Sequence, residues 1–196
     1  MTIRGLVAMA AVAGSSLWAD ETRGPMQSSV TVCIEGGFPA IVGHARDVVS
    51  QMFAGIDVQI DWRCRKCPAD SIRISLRVVT PANEQPGALA YALPYEGKHI
   101  VVFYDRVQTQ VEPNRVPALL AHVIAHEIGH ILEGVNSHSK SGVMKARWSA
   151  DDYLDMAWKP LPFAPEDVFL IHRGLEQRAK HNNGCASMIP PESEVL

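Results

Sequence analysis

A chain that reads strand, helix, strand, strand within its first eighty residues has few folds open to it. Here "SVTVCIE" (29–35) is β-branched and alternating, and it stops at Gly36 and Gly37. From Pro39 to about Phe53 the residues Ile41, Ala45, Val48, Val49, Met52 and Phe53 recur at helical spacing, and Gly55 closes the helix. "IDVQIDW" (56–62) is a second strand. "SIRISLRVV" (71–79) is a third, with Ile72, Ile74, Leu76 and Val78 on one face and Ser71, Arg73, Ser75 and Arg77 on the other. This order predicts an α/β fold whose first helix crosses one face of a sheet.

Downstream, the turn-rich "TPANEQPG" leads into "ALAYALP" (88–94), which Pro94 marks as an edge strand, since an interior proline would lose a ladder bond. "HIVVFYDRV" (99–107) is the most hydrophobic run and reads as a central strand. A helix follows from about Pro117 to Glu133, with proline tolerated in its first turn. Two more helices are predicted near Ala150–Trp158 and Pro165–Lys180, and the tail after Asn182 reads as irregular. A length of 196 residues suits one core-bearing domain. Its sheet part covers about 29–134 and its helical C-terminal part about 135–182.

Residues 1–19 stand apart from that domain, which is expected to span 20–196. Arg4, the apolar run "GLVAMAAVAG" and "SSLWA" have the layout of a signal peptide cut after Ala19, which implies a secreted or periplasmic protein. The apolar run is too short to span a bilayer, and no later segment is a candidate. Net charge is −3, or −4 once Arg4 is removed, and basic residues are scattered, which argues against a nucleic-acid partner. In an oxidising compartment the four cysteines, Cys33, Cys64, Cys67 and Cys185, are expected to form two disulfides, with three pairings open. "CRKC" (64–67) has no second pair for a zinc ribbon, and Pro68 with a strand after it does not suit a redox motif.

The chemistry concentrates in "AHEIGHILEGVNSHSKSGVM" (125–144). His126 and His130 are four residues apart on a helix, so both imidazoles leave one face and can hold a single ion. Glu127 lies beside that ion as a general base rather than a ligand. Gly134 suits a left-handed cap that reverses the chain and returns His138 as a third nitrogen ligand. Met144, after "SG", is placed to lie in a tight turn beneath the histidines.

Helix pair, glycine, third histidine and methionine in this order resemble the metzincin zinc peptidases, whose pattern is HExxHxxGxxH with a later methionine turn. "HEIGHILEGVNSHSKSGVMKARW" is also similar to small secreted bacterial peptidase-like proteins with HExxH, a distal "SHS" and "GxMxxxW". The resemblance implies a twisted, mostly parallel sheet with one antiparallel edge strand, a crossover helix and an active-site helix. It implies one Zn²⁺ per chain on His126, His130 and His138, with Glu127 as base. It also implies a peptide or protein substrate laid along the edge strand at Ala90, Tyr91 and Ala92, on a chain acting as a monomer. The chain departs from the pattern at three places: Glu133 stands where the glycine should be, Asn136 where the third histidine should be, and Ala146 where some members carry a tyrosine. Arg147 and Tyr153 are then the candidates for stabilising the transition state.

The remaining histidines have plainer readings. His122 is a packed helix residue or a group supporting the site. His44, His99, His172 and His181 have no partner spacing, and Trp148 and Trp158 are expected in the core of the C-terminal part. Two functions from different classes follow: a secreted zinc endopeptidase, or a non-catalytic secreted binding protein that keeps the same fold. Glu127 favours the enzyme, because binding alone needs no base.

Overall fold

The computed structural model describes residues 28–36 and 39–186, with residue 39 and residues 182–186 described by backbone alone. The expected leader and its cleavage site lie outside the described residues. The element order is β1 (Ser28–Glu35), α1 (Pro39–Ala54), β2 (Val58–Arg63), β3 (Ile72–Arg77), β4 (Ala90–Ala92) and β5 (His99–Phe103). Then come α2 (Tyr104–Gln110), α3 (Val116–Glu133), α4 (Ala150–Asp155) and α5 (Pro165–Ala186), with a single 3₁₀ turn at Pro113–Arg115.

The sheet has five strands in the order β2-β1-β3-β5-β4. β1 pairs in parallel with β2 and β3, and β3 in parallel with β5. β4 alone runs antiparallel, with Tyr91 opposite Val101. The α/β class, the crossover helix and the antiparallel edge strand are therefore all present. Parallel strands covered by helices become apolar, and Val32, Ile72, Ile74 and Val102 are fully buried.

Two expectations are corrected here. The run 99–107 is strand only to Phe103; from Tyr104 the chain turns into α2 and buries Tyr104 and Val107. Periodicity alone does not separate a strand from a short buried helix in such an apolar run. β5 is interior, but the middle place belongs to β3. β3 ends at Arg77, leaving Val78 and Val79 exposed beyond it.

α3 packs against α1, α5 and the sheet side of β4 and β5. That explains its sequence: a helix apolar all round needs neighbours all round, and fifteen of its residues are buried, from Val116 to Glu133. Each large side chain buried there contributes about 1.5–3 kcal/mol relative to exposure. Gly174 of α5 lets that helix approach α3 closely, since a Cβ there would lie 1.7 Å from the Leu132 carbonyl oxygen. No described helix is long and apolar enough to cross a membrane.

One disulfide, Cys33–Cys67, ties β1 to the loop after β2. Cys64 is exposed and free, against the expectation that it pairs; its sulfur receives a weak contact from the Arg46 guanidinium at 3.6 Å. The side chain of Cys185 lies outside the described residues. Trp158 is also a correction: it is 90 % exposed rather than core. It follows α4 on a solvent-facing turn, where Trp158 and Lys159 bond back to Asp155.

Candidate metal centre

His126 and His130 lie one turn apart near the end of α3, and the rest of the site is arranged around them. α3 ends at Gly134, whose φ of 70° is the left-handed conformation that glycine adopts without steric cost, and whose N–H donates to the His130 carbonyl at 3.0 Å. The chain then reverses and brings His138 over the helix face. The His138 ring lies 5.3 Å from that of His126 and 4.9 Å from that of His130. One nitrogen from each of the three histidines falls within 4.8 Å of the others.

The tautomers are fixed by the backbone. His126 Nδ1 donates to the Val143 carbonyl at 2.9 Å, and His130 Nδ1 to the Val135 carbonyl at 3.3 Å. Both Nε2 lone pairs are thereby turned to one place, 3.0 Å apart. Two imidazole nitrogens at the 2.0–2.1 Å distance of a tetrahedral zinc ion would sit about 3.3 Å from each other. A ring nitrogen held by a carbonyl on its far side is the usual support of a metal-ligating histidine. Burial, with His130 next, holds the His126 imidazole down to about 3. Burial, with His138 next, holds His130 down to about 4. Both are therefore neutral donors at ordinary pH, and the donor set fits a zinc ion.

Glu127 is buried in the wall of the same cleft, and desolvation pushes its carboxyl up to about 8. The cleft holds about 640 Å³. It is lined by the β4 segment with Ala90, Tyr91 and Ala92, whose outer edge pairs with no described strand, and by Lys145, Arg147, Trp148 and Tyr153. A second hollow of about 530 Å³, between α1 and the segment around Leu161, contains none of the candidate site residues.

Met144 is fully buried beneath the helix. Its turn is set by Gly142 (φ 75°), where a Cβ would come within 2.2 Å of the Pro162 carbonyl oxygen. The same carbonyl accepts the Val143 N–H at 2.9 Å, and Ser139 N–H bonds the Met144 carbonyl at 2.9 Å. The methionine sulfur lies so close to α3 that a Cβ on Gly129 would be 2.5 Å from it. That explains the glycine inside "HEIGH", a residue that costs a helix roughly 1 kcal/mol against alanine.

Sequence reasoning had not found this role of Gly129, although a mid-helix glycine is the usual sign of a close approach. Nor had it found Val143 and Val135 as carbonyl partners, which carry no side-chain signal. Trp148 packs half-buried against the core, and it also stands beside the site, edge-on to His126 at 5.7 Å, with Nε1 donating to the Val143 carbonyl at 3.2 Å. His122 is packed as expected. Its Nδ1 donates to the Ala118 carbonyl at 2.7 Å and its Nε2 accepts the Leu161 N–H at 3.0 Å, leaving no nitrogen for a metal. Asn136 lines the cleft, outside the group of converging nitrogens. His99 pairs with Glu96, and His172 Nε2 donates to the Ile56 carbonyl.

No family model matches the sequence, and no curated protein matches it. Among solved structures the chain is similar to archaemetzincin from Methanopyrus kandleri, at 21% identity over 78% of this chain and 98% of that one, with a TM-score of 0.48. It is also similar to myroilysin, at 14% identity over 76% of this chain and 74% of that one, with a TM-score of 0.37. Both likenesses fall below a TM-score of 0.5, so the reading of the site rests on this chain's own geometry.

Proposed function

We propose that the chain is a zinc-dependent peptidase, exported as residues 20–196 in a single catalytic domain that holds one Zn²⁺. The observation that carries this reading is the convergence of the His126, His130 and His138 nitrogens within 4.8 Å, in a cleft that also contains Glu127 and an unpaired strand edge. When bound, the ion supplies a Lewis acid that polarises a peptide carbonyl and makes water acidic near neutral pH.

The chain's own residues do the rest. The backbone of Ala90–Ala92 offers free N–H and C=O groups, so an extended peptide adds as one more strand and its carbonyls are held in line. Glu127 takes the proton of the attacking water and delivers it to the leaving amine. Its burial leaves it a good acceptor, and a cation among the neighbouring imidazoles favours its charged form. Met144 and Gly129 keep the helix face and its floor in contact, which holds the ligands in place.

The test is purified mature protein assayed for metal and for cleavage of a peptide library, beside the Glu127→Gln variant. Zinc should be near one per chain in both, and hydrolysis should fall by several orders of magnitude in the variant. Unchanged turnover would remove Glu127 from the mechanism. Stoichiometric zinc with no hydrolysis by the wild type would make the chain a binding protein on a peptidase-like fold.

A further inference from the structure

Permanent charge is scarce in the wall of the cleft. Apart from Glu127 at its centre, the charged residues lining it are Lys145 and Arg147. Lys145 is bound to Asp152, which also closes the capping box of α4 with Ser149. Arg147 is exposed, and it makes no ion pair or side-chain hydrogen bond among the described residues. A guanidinium without a partner is common on protein surfaces, and on that ground alone Arg147 would be a solvated side chain.

Its position is what distinguishes it. Arg147 directly precedes Trp148, whose indole is tied to the Val143 carbonyl, the same oxygen that holds His126. The backbone at Arg147 is thereby fixed close to the histidine centre. The free edge of β4 lines the same cleft. A peptide added there would turn alternate side chains to one side, about 6.6–6.8 Å apart, and those turned into the cleft would meet the lining to which Arg147 belongs. Apart from Glu127, the lining holds one unengaged cation and no anion, and the β4 segment adds no charge.

We propose that Arg147 is a specificity residue that selects peptide segments carrying an Asp or Glu side chain close to the histidine centre. The inference rests on the reading of the cleft as a site for extended peptide. A planar guanidinium grips a carboxylate through two parallel N–H···O bonds, which neither an amide nor a lysine side chain can reproduce. A lysine at the same place would meet like charge.

The experiment uses the zinc-loaded mature chain with Glu127→Gln, so that peptides bind without being cut. Fluorescein-labelled, alanine-rich decapeptides carry Glu, Gln or Lys at each position in turn, and binding is read by anisotropy at low and high salt. At one position the Glu peptide should bind about two- to fivefold tighter than the Gln peptide at low salt, a modest gain because the guanidinium is exposed. The Lys peptide should bind weakest. Arg147→Gln should erase the ranking and leave the Gln peptide unchanged, and Arg147→Glu should invert it. A ranking that survives Arg147→Gln, no ranking in the parent, or no binding of any peptide overturns the proposal. Hydrolysis by the chain with Glu127 intact tells the two readings apart. Carboxylate-dependent binding without hydrolysis sinks only the peptidase reading, and hydrolysis indifferent to carboxylate sinks only the role of Arg147.

Discussion

His126 and His130 ride on a helix buried on nearly every side, each with its Nδ1 tied to a backbone carbonyl. His138 stands on an exposed turn and makes no hydrogen bond among the described residues. The helix half is preorganised by packing: its rings are fixed whether or not an ion is present. The turn half is held by fewer bonds, Ser139 N–H to the Met144 carbonyl and Val143 N–H to the Pro162 carbonyl, and the His138 ring has no hydrogen bond of its own among the described residues to fix it. An ion bound to all three rings would fix the His138 side chain as well, and the difference between the halves can be measured.

The largest effect is expected from removing the turn's ligand. His138→Ala should weaken zinc binding by more than the roughly 10–100-fold that loss of an orienting partner costs, and should abolish hydrolysis. Asn136→Ala should keep near-normal zinc. His122→Ala should also keep zinc, but should lose about 1–3 kcal/mol of stability, because the Leu161 N–H would be left buried without its acceptor. Equilibrium dialysis with urea denaturation separates the three variants. Wild-type zinc affinity in His138→Ala would mean that the turn half is not part of the centre.

A second test goes to the helix half. Gly129→Ala gains helix propensity of roughly 1 kcal/mol, but it drives a methyl into the Met144 sulfur, which lies 2.5 Å from the added carbon in a fully buried position. Overpacking of this kind costs about 1–3 kcal/mol, so a net loss of about 1 kcal/mol is expected, together with weaker zinc binding. Met144→Ala in the same chain returns the space, and the double variant should be more stable than the sum of the single effects. Simple additivity in thermal unfolding would show that the methionine does not support the helix.

What was legible in the sequence follows the same division. The helix half carries local signals: two histidines four apart, a glutamate between them, a capping glycine and a strand pattern before them. The strands were readable because apolar periodicity records one-sided burial, and α2 was missed because a short apolar run has no period of its own. The turn half was harder, because its register depends on backbone carbonyls at Val135 and Val143 and on a contact between Gly142 and Pro162, twenty residues apart. Spacing counted along the chain put Asn136 where the shorter motif has its ligand, whereas in the folded chain His138 is the residue that reaches the other two. Cys64 and Trp158 failed for a related reason, since residue type carries only an average burial and both lie on solvent-facing turns.

The smallest effect belongs to the seam between the halves. Glu133 ends α3 with 8 % exposure, and neither carboxylate oxygen has a hydrogen bond of normal geometry. Burial, with the charge of Asp167 second, pushes its carboxyl up to about 8, while the Ser137 hydroxyl pulls the other way. An ordinary glutamate titrates near 4.5. Between 4.5 and about 8 the folded chain thus keeps a proton that the unfolded chain has released. Stability must fall as pH rises through that window and level off above it. Glu133→Gln keeps the shape and removes the titration of this carboxyl. Relative to the variant, the wild type should therefore lose on the order of 1–3 kcal/mol between pH 5 and 9, a range discounted from the full shift because the carboxyl ends a helix beside an exposed turn. Urea denaturation of both chains across that range decides it. Equal pH slopes would place the Glu133 carboxyl in water, and the boundary between the rigid half and the adaptable one would then lie a turn further back along α3.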